Sequence, residues 1–254
     1  MEKKKTLIQS LDRALDILAI IRDSANPVRS TDIAEQLGLG VATAHNIIRS
    51  LYIRGYLAQD ENNRYVLGPE CFRLYREAAE PFEQLRKAAA PQVRELASAT
   101  GDTTFFGVEY YGTLYCVSLS VGNGQLVVSG KQDWLDKLHS TAAGKVIIAE
   151  KGLEWFERIA AKQKFEKFTD RTLTTPAEMT GEIAKIKKSA YALSINECSN
   201  GIAALGIPVY DKDGKFIGSL AQSFPTMYLE NGKINPDERA KLLQSFARKI
   251  TEAL

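Results

Sequence analysis

The first seventy residues combine three helical patterns with a two-strand pattern, and this order restricts the fold more than any other feature of the chain. Apolar residues at helical spacing predict one helix that begins with Ser10 as its N-cap and another that follows Ser30. The run Gly38-Leu39-Gly40 predicts a tight turn before a third helix. After Gly55, two short strand patterns flank an Asp- and Asn-rich turn at residues 60–63, which predicts a β-hairpin. Three helices followed by a hairpin are typical of a winged helix-turn-helix domain.

The predicted third helix has one apolar face and one polar face. Its buried stripe follows a spacing of three and four residues and consists of Ala44, Ile47, Ile48 and Leu51. The opposite face is small, polar and nearly free of carboxylates, whereas a solvated helix face usually mixes Glu with Lys. Base edges in the major groove present donors and acceptors, and the flanking phosphates accept hydrogen bonds. We therefore predict that this face and the hairpin tip contact DNA, through Ala42, Thr43, His45, Asn46, Arg49, Ser50, Asn62, Asn63 and Arg64.

The pattern from residue 69 to 100 is helical, with interruptions at Pro81 and Pro91. We predict two helices here, a linker helix and the opening helix of a second domain. The linker either couples the two domains and pairs across a dimer or is a simple connector. The first domain then covers residues 7–70, and the second, with the linker, covers residues 71–254.

Beyond residue 100, runs of strand patterns surround a group of helical patterns. The strand patterns lie at residues 103–109, 113–120, 125–130, 202–210 and 216–224. The helical patterns lie at residues 141–150, 153–162 and 176–191, with a final helix from Pro236. Strands in runs, with the helices grouped between them, predict an α+β domain built around an antiparallel sheet.

The composition is that of an ordinary globular protein, with 44% hydrophobic and 25% charged residues. The formal net charge of +2 comes entirely from the residues before position 77, so a DNA site has to be local rather than a general basic field. Three widely separated cysteines favour a reducing cytosol over a disulfide framework or a thiolate zinc site. No uninterrupted apolar run is long enough to span a bilayer. We expect a cytoplasmic protein with no cofactor and no membrane partner.

Both halves of the chain resemble the IclR family of bacterial transcription regulators. In the first half the resemblance lies in SLDRALDILAII and in STDIAEQLGLGVATAHNIIRSLYIRGYLAQDENNRYVLG. In the second half it lies in LHSTAAGKVIIAE and in NECSNGIAALGIPVYDKDGKFIGSLAQSFP, which includes Gly201, Pro208 and Pro225. The resemblance implies a GAF-like or profilin-like effector-binding domain, and homodimers that pair into tetramers.

One departure from the family concerns the third helix. The family often has a Ser-Thr pair and an Arg where this chain has Ala42-Thr43 and Asn46. We therefore expect the winged helix to read a DNA sequence that differs from the family's common operators.

The resemblance also implies a ligand pocket in the second domain. One end of it is a helix N-terminus at Ala142 and Ala143, whose free N–H groups suit a carboxylate. In family members that bind small 2-oxo acids, the far wall carries an Asp, a Cys and two Ser residues. The matching positions in this chain are Ser194, Ala204, Ala221 and Ser223.

The Asp, the Cys and one Ser of that wall are therefore absent. A small polar acid would leave polar groups unpaired here, so we expect a larger or less polar effector, either an aromatic or aliphatic acid or a lactone. Apolar surface nearby comes from Phe105, Trp134, Leu135 and Leu138. For Phe105 and Leu138, a role in the core alone is an equally good interpretation.

These observations predict a sequence-specific transcription regulator, a repressor, whose affinity for its operator is controlled by a small organic effector. A two-fold homo-oligomer would place two recognition helices on the half-sites of a near-palindromic operator. The alternative is a small-molecule-binding enzyme, or an enzyme subunit, that uses the winged helix for protein contacts. Signals for catalysis are weak, because His139-Ser140 lacks a G-x-S-x-G elbow and Gly144-Lys145 lacks the earlier glycine of a phosphate loop.

Four further side chains invite a functional interpretation. The histidines, His45 and His139, lie in different domains with no cysteine or carboxylate at ligand spacing, which argues against a metal site. Glu197 and Cys198 either point into the ligand pocket or cap a strand. A lone cysteine is more often a small buried hydrophobe than a sensor, so a redox role for Cys198 is only a hypothesis.

Overall fold

The computed structural model describes residues 8–128, 137–162 and 165–254. The chain divides into two compact units, one that ends at Pro81 and one that begins at Phe82. The helix at Pro69–Ala79, which its sequence pattern placed with the second domain as a linker, therefore clusters with the first unit. The boundary at residue 70 between a DNA-binding domain and an effector-binding domain stays a prediction.

The first unit consists of short helices and one hairpin. Its elements are α1 (Gln9–Asp23), α2 (Ser30–Gln36), α3 (Val41–Ile53), β1 (Leu57–Gln59), β2 (Tyr65–Leu67) and α4 (Pro69–Ala79). The strands pair antiparallel with Ala58 opposite Val66, and Val28 forms a bridge to Tyr65. Three helices and a hairpin in this order confirm the predicted winged helix-turn-helix arrangement.

The apolar core of the first unit is built around α3. Ala44 and Ile48 are fully buried, and Ile47 and Leu51 pack partly against the same cluster. The core residues come from all three helices and both strands: Ile17, Ile21, Val28, Ile33, Ala34, Ala44, Ile48, Leu57 and Tyr65. The predicted stripe is thus the inward face of α3, and its opposite face is left to the surface.

The start of α1 differs from the prediction. The helix begins at Gln9 with Ile8 as its N-cap, and no side chain caps it. Ser10 lies inside the helix because the backbone N–H groups of Leu11 and Asp12 already donate to the carbonyl of Ile8. The prediction of Ser10 as the N-cap was wrong. The predicted tight turn at Gly38 is present, with a φ of 60°.

The second unit is an antiparallel sheet with helices on both faces. Its helices are α5 (Glu83–Thr100), α6 (Ala142–Lys151), α7 (Leu153–Ala160), α8 (Pro176–Ser189), α9 (Met227–Glu230) and α10 (Pro236–Glu252), with a 3₁₀ turn at Glu80–Phe82 before them. Its strands are β3 (Thr103–Tyr110), β4 (Thr113–Ser120), β5 (Ala192–Ile195), β6 (Ile202–Tyr210) and β7 (Phe216–Pro225). The strand order is β4-β3-β7-β6-β5 with every pair antiparallel, so the α+β prediction is confirmed.

The two faces of this sheet carry separate cores. Phe106, Leu205 and Leu220 pack on one face against α5 and α10, while Phe105 and Ala221 pack on the other face against α6. Because side chains alternate along each strand, neighbouring residues serve opposite cores. The helices α7 and α8 lie beside α6 on its side of the sheet.

Three local predictions need correction. No strand forms at residues 125–128, since Val128 O accepts from the Thr103 side chain rather than from a strand, and 129–130 lie outside the described residues. Pro91 does not interrupt α5, because it is exposed and the carbonyl it leaves unbonded can face water. The four-residue strand β5 was missed, as it is too short to show a clear alternation.

The first turn of α6 lies directly against the middle of β6. Gly206 has no side chain there, and a Cβ at this position would lie 2.9 Å from Ala142 C and 3.1 Å from Ala143 N. On the other side of the same turn, a Cβ on Gly144 would lie 2.1 Å from Leu138 O. Gly206 therefore allows the helix N-terminus to rest on the sheet at backbone contact distance, and Gly144 allows the segment at Leu138 to pack equally closely on the helix. No helix among the described residues is long and apolar enough to cross a membrane.

We expect Gly206→Ala to lower the free energy of unfolding by about 1–3 kcal/mol, since the added methyl group meets backbone atoms that cannot rotate away. Gly181→Ala is the matched control, because Gly181 lies inside α8 with open space around it. The control should raise the free energy of unfolding by about 0.5–1 kcal/mol through helix propensity. Urea unfolding of both variants measures this, and equal effects of the same sign would contradict the close contact.

Candidate nucleic-acid interface and ligand site

The outer face of α3 is exposed along its whole length. All six of its predicted DNA-contacting residues are exposed: Ala42, Thr43, His45, Asn46, Arg49 and Ser50. The helix contains no Asp or Glu, so nothing on it repels a phosphate. Ser50 donates its hydroxyl to the carbonyl of Asn46 at 2.9 Å, which leaves its oxygen as an acceptor. The structure thus places these residues on one accessible surface, as the spacing predicted.

Two arginines near this surface have different surroundings. Arg49 on α3 makes no ion pair with any residue that the structure describes. Arg64 in the hairpin is half-buried, and its Nε lies 2.9 Å from Oδ2 of Asp60. Arg49 can therefore bind a phosphate or a base directly, whereas Arg64 has to exchange the Asp60 carboxylate for a phosphate.

Asp60 holds the hairpin turn together. Its Oδ1 accepts from the backbone N–H groups of Arg64 at 2.8 Å and of Asn62 at 2.9 Å. These bonds, above all the one from the Arg64 backbone, hold the pKa of the Asp60 carboxyl below its usual value. Asn63 completes the turn with a φ of 56°, a conformation that asparagine tolerates. Asn62 and Asn63 are exposed at the tip, as predicted.

The predicted ligand-wall residues lie in two adjacent rows across the sheet. In one row, Ala204 pairs with Ser194 on β5 and with Ser223 on β7. The next row is formed by Ala192, Gly206, Ala221 and Phe105. Both rows face α6, because they are two residues apart on each strand. The sheet register therefore brings the four predicted wall positions together on one face, opposite the first turn of α6.

The hydrogen bonds of these rows reach α6 and a neighbouring loop. Ser194 donates its hydroxyl to Ser140 O at 2.6 Å, just before the helix. Thr103, opposite Ser223, donates to Val128 O at 2.8 Å and accepts from Gly122 N at 3.2 Å. The sequence analysis missed Thr103, although its register position beside Ser223 follows from pairing β3 with β7.

Four of the other predicted ligand-site residues are buried. Leu138 and Phe105 belong to the apolar cluster under α6, and Ala142 and Ala143 are fully buried in its first turn. Trp134 and Leu135 lie outside the described residues. A cavity of about 530 Å³ lies elsewhere, lined by Ala160, Ala161, Lys162, Phe165, Thr174, Thr175 and Pro176. That cavity shares none of the predicted residues.

The N-terminus of α6 is capped in part. Thr141 accepts from Gly144 N at 3.0 Å and donates to Lys137 O at 2.9 Å. The first two N–H groups of the helix, those of Ala142 and Ala143, have no carbonyl acceptor within the helix. They therefore keep the partial positive charge that a carboxylate prefers.

His139 is buried just before this helix. Its Nε2 bonds Glu166 O at 2.9 Å, its ring packs against Phe165 and Phe168, and its Nδ1 has no partner among the described residues. Burial is the main cause that lowers the pKa of His139, so the ring is neutral at neutral pH. A neutral His139 with Nε2–H as the donor fits a packing role.

A buried ion cluster one turn further along α6 was missed by the sequence analysis. Lys145 is 1% exposed, and its Nζ lies 2.7 Å from Oε1 of Glu182 on α8 and 2.7 Å from Oε1 of Glu197. It also donates to Leu193 O on β5. One ammonium thus joins α6, α8, β5 and the segment after β5. Its sequence signal is a lone lysine in the apolar run of residues 142–149.

This cluster has one positive and two negative groups. Oε2 of Glu197 has no hydrogen-bond partner among the described residues. Burial is the largest influence on this carboxyl and raises its pKa, against the opposing attraction of Lys145. Because its Oε1 contacts the Lys145 ammonium, the Glu197 side chain points to this cluster and not to the predicted ligand wall. Cys198 lies beside Glu197, with its Sγ 3.5 Å from Oγ of Ser140. Another thiol, that of Cys116 on β4, has its pKa raised to about 11 by burial.

We expect Lys145→Met to lower the free energy of unfolding by about 3–5 kcal/mol, because it leaves two buried carboxylates without their cation. A carboxyl whose pKa is raised on folding stabilises the fold below its unfolded pKa and loses that contribution as pH rises through the folded pKa. The decrease in the free energy of unfolding caused by Lys145→Met should therefore be greater at pH 8 than at pH 5.5, as measured by urea unfolding.

Lys185→Met is the control for this variant. Lys185 also pairs with Glu182, at 3.5 Å, but its side chain is 79% exposed. Its removal should change the free energy of unfolding by less than about 0.5 kcal/mol. Equal decreases in the free energy of unfolding from the two substitutions would refute the stabilising role of the buried Lys145 ammonium.

Two family descriptions match the chain. Residues 82–252 match the family described as bacterial transcriptional regulator IclR C-terminal. Residues 10–61 match the IclR helix-turn-helix domain. One match falls in each compact unit, and the two follow the order of the chain.

Individual proteins give the same result. The chain is 31% identical to the glycerol operon regulatory protein of Streptomyces coelicolor, over 97% of this chain and 96% of that protein. It is 22% identical to the transcriptional repressor IclR of Escherichia coli, over 97% of this chain and 90% of that protein.

Solved structures share the fold. The Thermotoga maritima IclR structure superposes with a TM-score of 0.72 and 23% identity, covering 96% of this chain and 98% of that one. An IclR homologue from Microbacterium hydrocarbonoxydans, complexed with 4-hydroxybenzoate, has a TM-score of 0.74 and 18% identity over the same shares.

Proposed function

The chain belongs to the IclR family and is a DNA-binding transcription regulator controlled by an effector, and we propose that α3 reads its operator in the major groove. The observation that carries this proposal is the exposed face of α3, which is polar and free of carboxylates. The proposal includes repression, to which the similarity to a transcriptional repressor adds support. The protein acts in the cytoplasm and has no catalytic role.

Each side chain on the α3 face has a distinct task in this proposal. Asn46 is suited to a bidentate contact with adenine, and Arg49 to guanine or to a phosphate. Thr43, His45 and Ser50 add shorter polar contacts beside them. Asn62, Asn63 and Arg64 at the hairpin tip hold the DNA backbone, with Arg64 released from Asp60 when a phosphate replaces it. Ala42 lets the helix approach the bases closely.

We propose a homodimer, able to pair into a tetramer, as the form that binds a near-palindromic operator. Large apolar side chains on two helices of the first unit are exposed, namely Leu11 and Leu15 on α1 and Phe72, Leu74 and Tyr75 on α4. Exposed apolar residues grouped in this way mark an interaction surface. A second copy is the fitting occupant, because a two-fold dimer presents two recognition helices to successive half-sites.

We expect Asn46→Ala and Arg49→Ala each to weaken operator binding by about 1–3 kcal/mol, through the loss of polar contacts to DNA. Fluorescence anisotropy with the gene's own upstream DNA and with scrambled DNA, at two salt concentrations, measures this. Wild-type binding should weaken as salt rises, and saturation should require two protomers for each operator.

Arg158→Ala supplies the control, because it removes the same charge from the exposed surface of α7 in the second unit. It should bind the operator like the wild type. Equal affinity of the wild type for operator and scrambled DNA, or unchanged binding by both α3 variants, would count against the proposed interface.

For the effector, we propose an aromatic or aliphatic acid or a lactone, bound beside the contact between Gly206 and the first turn of α6, against the sheet rows that face this helix. Its carboxylate or carbonyl accepts from the amides of Ala142 and Ala143, and its apolar body lies over Ala204 and Ala221. Phe105 and Leu138 form the floor, Ser194 and Ser223 the polar edge, and Trp134 and Leu135 belong to the same site. The methyl groups at 204 and 221 favour an apolar body over a small polar acid. The Microbacterium hydrocarbonoxydans homologue is complexed with 4-hydroxybenzoate, which supports an aromatic acid as the effector class.

Calorimetry should show tighter binding of 4-hydroxybenzoate than of glyoxylate or pyruvate. Ala142→Pro tests the amide contact, because proline is tolerated at the first helical position and Thr141 before it already has an extended backbone. The variant should lose about tenfold in affinity for the benzoate, as expected for one charge-assisted hydrogen bond.

The neutral 4-hydroxybenzamide is the internal control on the same variant, since its affinity depends less on a charge-assisted bond. An equal loss for both ligands would indicate general damage to the site rather than the lost amide. Tight glyoxylate or pyruvate binding by the wild type would refute the effector class.

A further inference from the structure

Val41 is the first residue of α3 and one of its most exposed apolar side chains. It is 59% exposed, and it is not part of the apolar cluster that the inner face of the helix forms. Ala42 and Thr43 follow it on the surface. The outer face of α3 therefore begins with three consecutive side chains that carry methyl groups, before the polar residues start at His45.

The position of Val41 decides what it meets. A recognition helix contacts base edges through its N-terminal residues, so the first turn of α3 lies closest to the bases. The valine side chain has no donor or acceptor, so it cannot read a polar base edge. Thymine presents a 5-methyl group in the major groove, the apolar feature that an aliphatic side chain can contact.

The shape of valine suits this contact. A β-branched side chain in a helix has one strongly preferred rotamer, so Val41 presents its methyl groups in a fixed direction at little cost in entropy. Ala42 beside it is small and does not hold the helix away from the groove. Single exposed apolar residues are common on protein surfaces, and Val41 differs from them by standing at the reading end of the helix.

We propose that Val41 is a specificity-determining residue that selects thymine in each half-site through its 5-methyl group. This inference rests on the proposed reading of DNA by α3. It adds an apolar contact to an interface that otherwise depends on hydrogen bonds and phosphate charge. Each half-site of the operator should therefore contain one thymine whose 5-methyl group contributes to binding affinity.

Deoxyuridine isolates the methyl group, because it differs from thymidine by that group alone. Duplexes are first selected from a random library with the wild-type protein. Each thymine of the selected consensus is then replaced in turn by deoxyuridine, and affinity is measured by anisotropy. We expect one symmetric thymine position where the replacement weakens wild-type binding about fourfold per half-site, the effect of one lost buried methyl.

Variants of Val41 assign that effect to this side chain. Val41→Ala should bind the thymidine and deoxyuridine duplexes equally well, and selection with it should relax the base at that position. Val41→Thr keeps one methyl group and should retain a reduced preference for thymidine. Ile53→Ala is the control, since Ile53 is 70% exposed at the opposite end of α3 and its loss should leave the preference intact.

The outcomes separate this proposal from the wider one. A deoxyuridine penalty that persists in Val41→Ala, or the absence of any such penalty in the wild type, would overturn the role of Val41 while operator binding stands. Failure of the library to yield any enriched sequence would overturn both. Circular dichroism and thermal unfolding should match the wild type, because Val41 is outside the core.

Discussion

The contact between Gly206 and the first turn of α6 determines the geometry of the second unit. Because no side chain separates the β6 backbone from Ala142 and Ala143, the helix approaches the sheet as closely as two backbones permit. This places two amides without intrahelical partners against the strand row that contains Gly206. The opposite face of the sheet packs a larger apolar core against α5 and α10, with one buried polar network in which Gln222 donates to Thr104 and Arg239 pairs with Asp102.

The Lys145 cluster stabilises the same contact from the side. Its ammonium holds Glu182, Glu197 and the Leu193 carbonyl, so α6 is tied to α8 and to β5 as well as resting on β6. Burial of three charged groups adds little net stability compared with an apolar substitute, but it fixes one arrangement of the elements. An effector that moves the first turn of α6 would therefore move a rigid group of elements rather than a single helix.

The sequence predicted those parts of the structure whose signals are local. The apolar spacing of Ala44, Ile47, Ile48 and Leu51 identified α3 and its outer face, and turn residues located the hairpins and most strands. What it could not predict depends on residues distant in the chain. The pairing of Lys145 with Glu182 and Glu197 spans 37 and 52 positions, and the path of residues 121–128 is set by bonds to Gly101 and Thr103. The strand β5 forms because β6 offers it an edge, which its four residues cannot reveal by themselves.

The charges of the first unit bear on how affinity for DNA and sequence specificity arise. The whole chain has a formal net charge of only +2, so attraction to DNA has to come from a few cations at the surface that contacts it. Arg64 is paired with Asp60, so in the proposed interface it would exchange this ion pair for a phosphate, with a small net gain. Arg49 has no such pair to give up among the described residues. If α3 reads the operator as proposed, this weak and local electrostatic attraction leaves the choice of the binding site to the base contacts of α3.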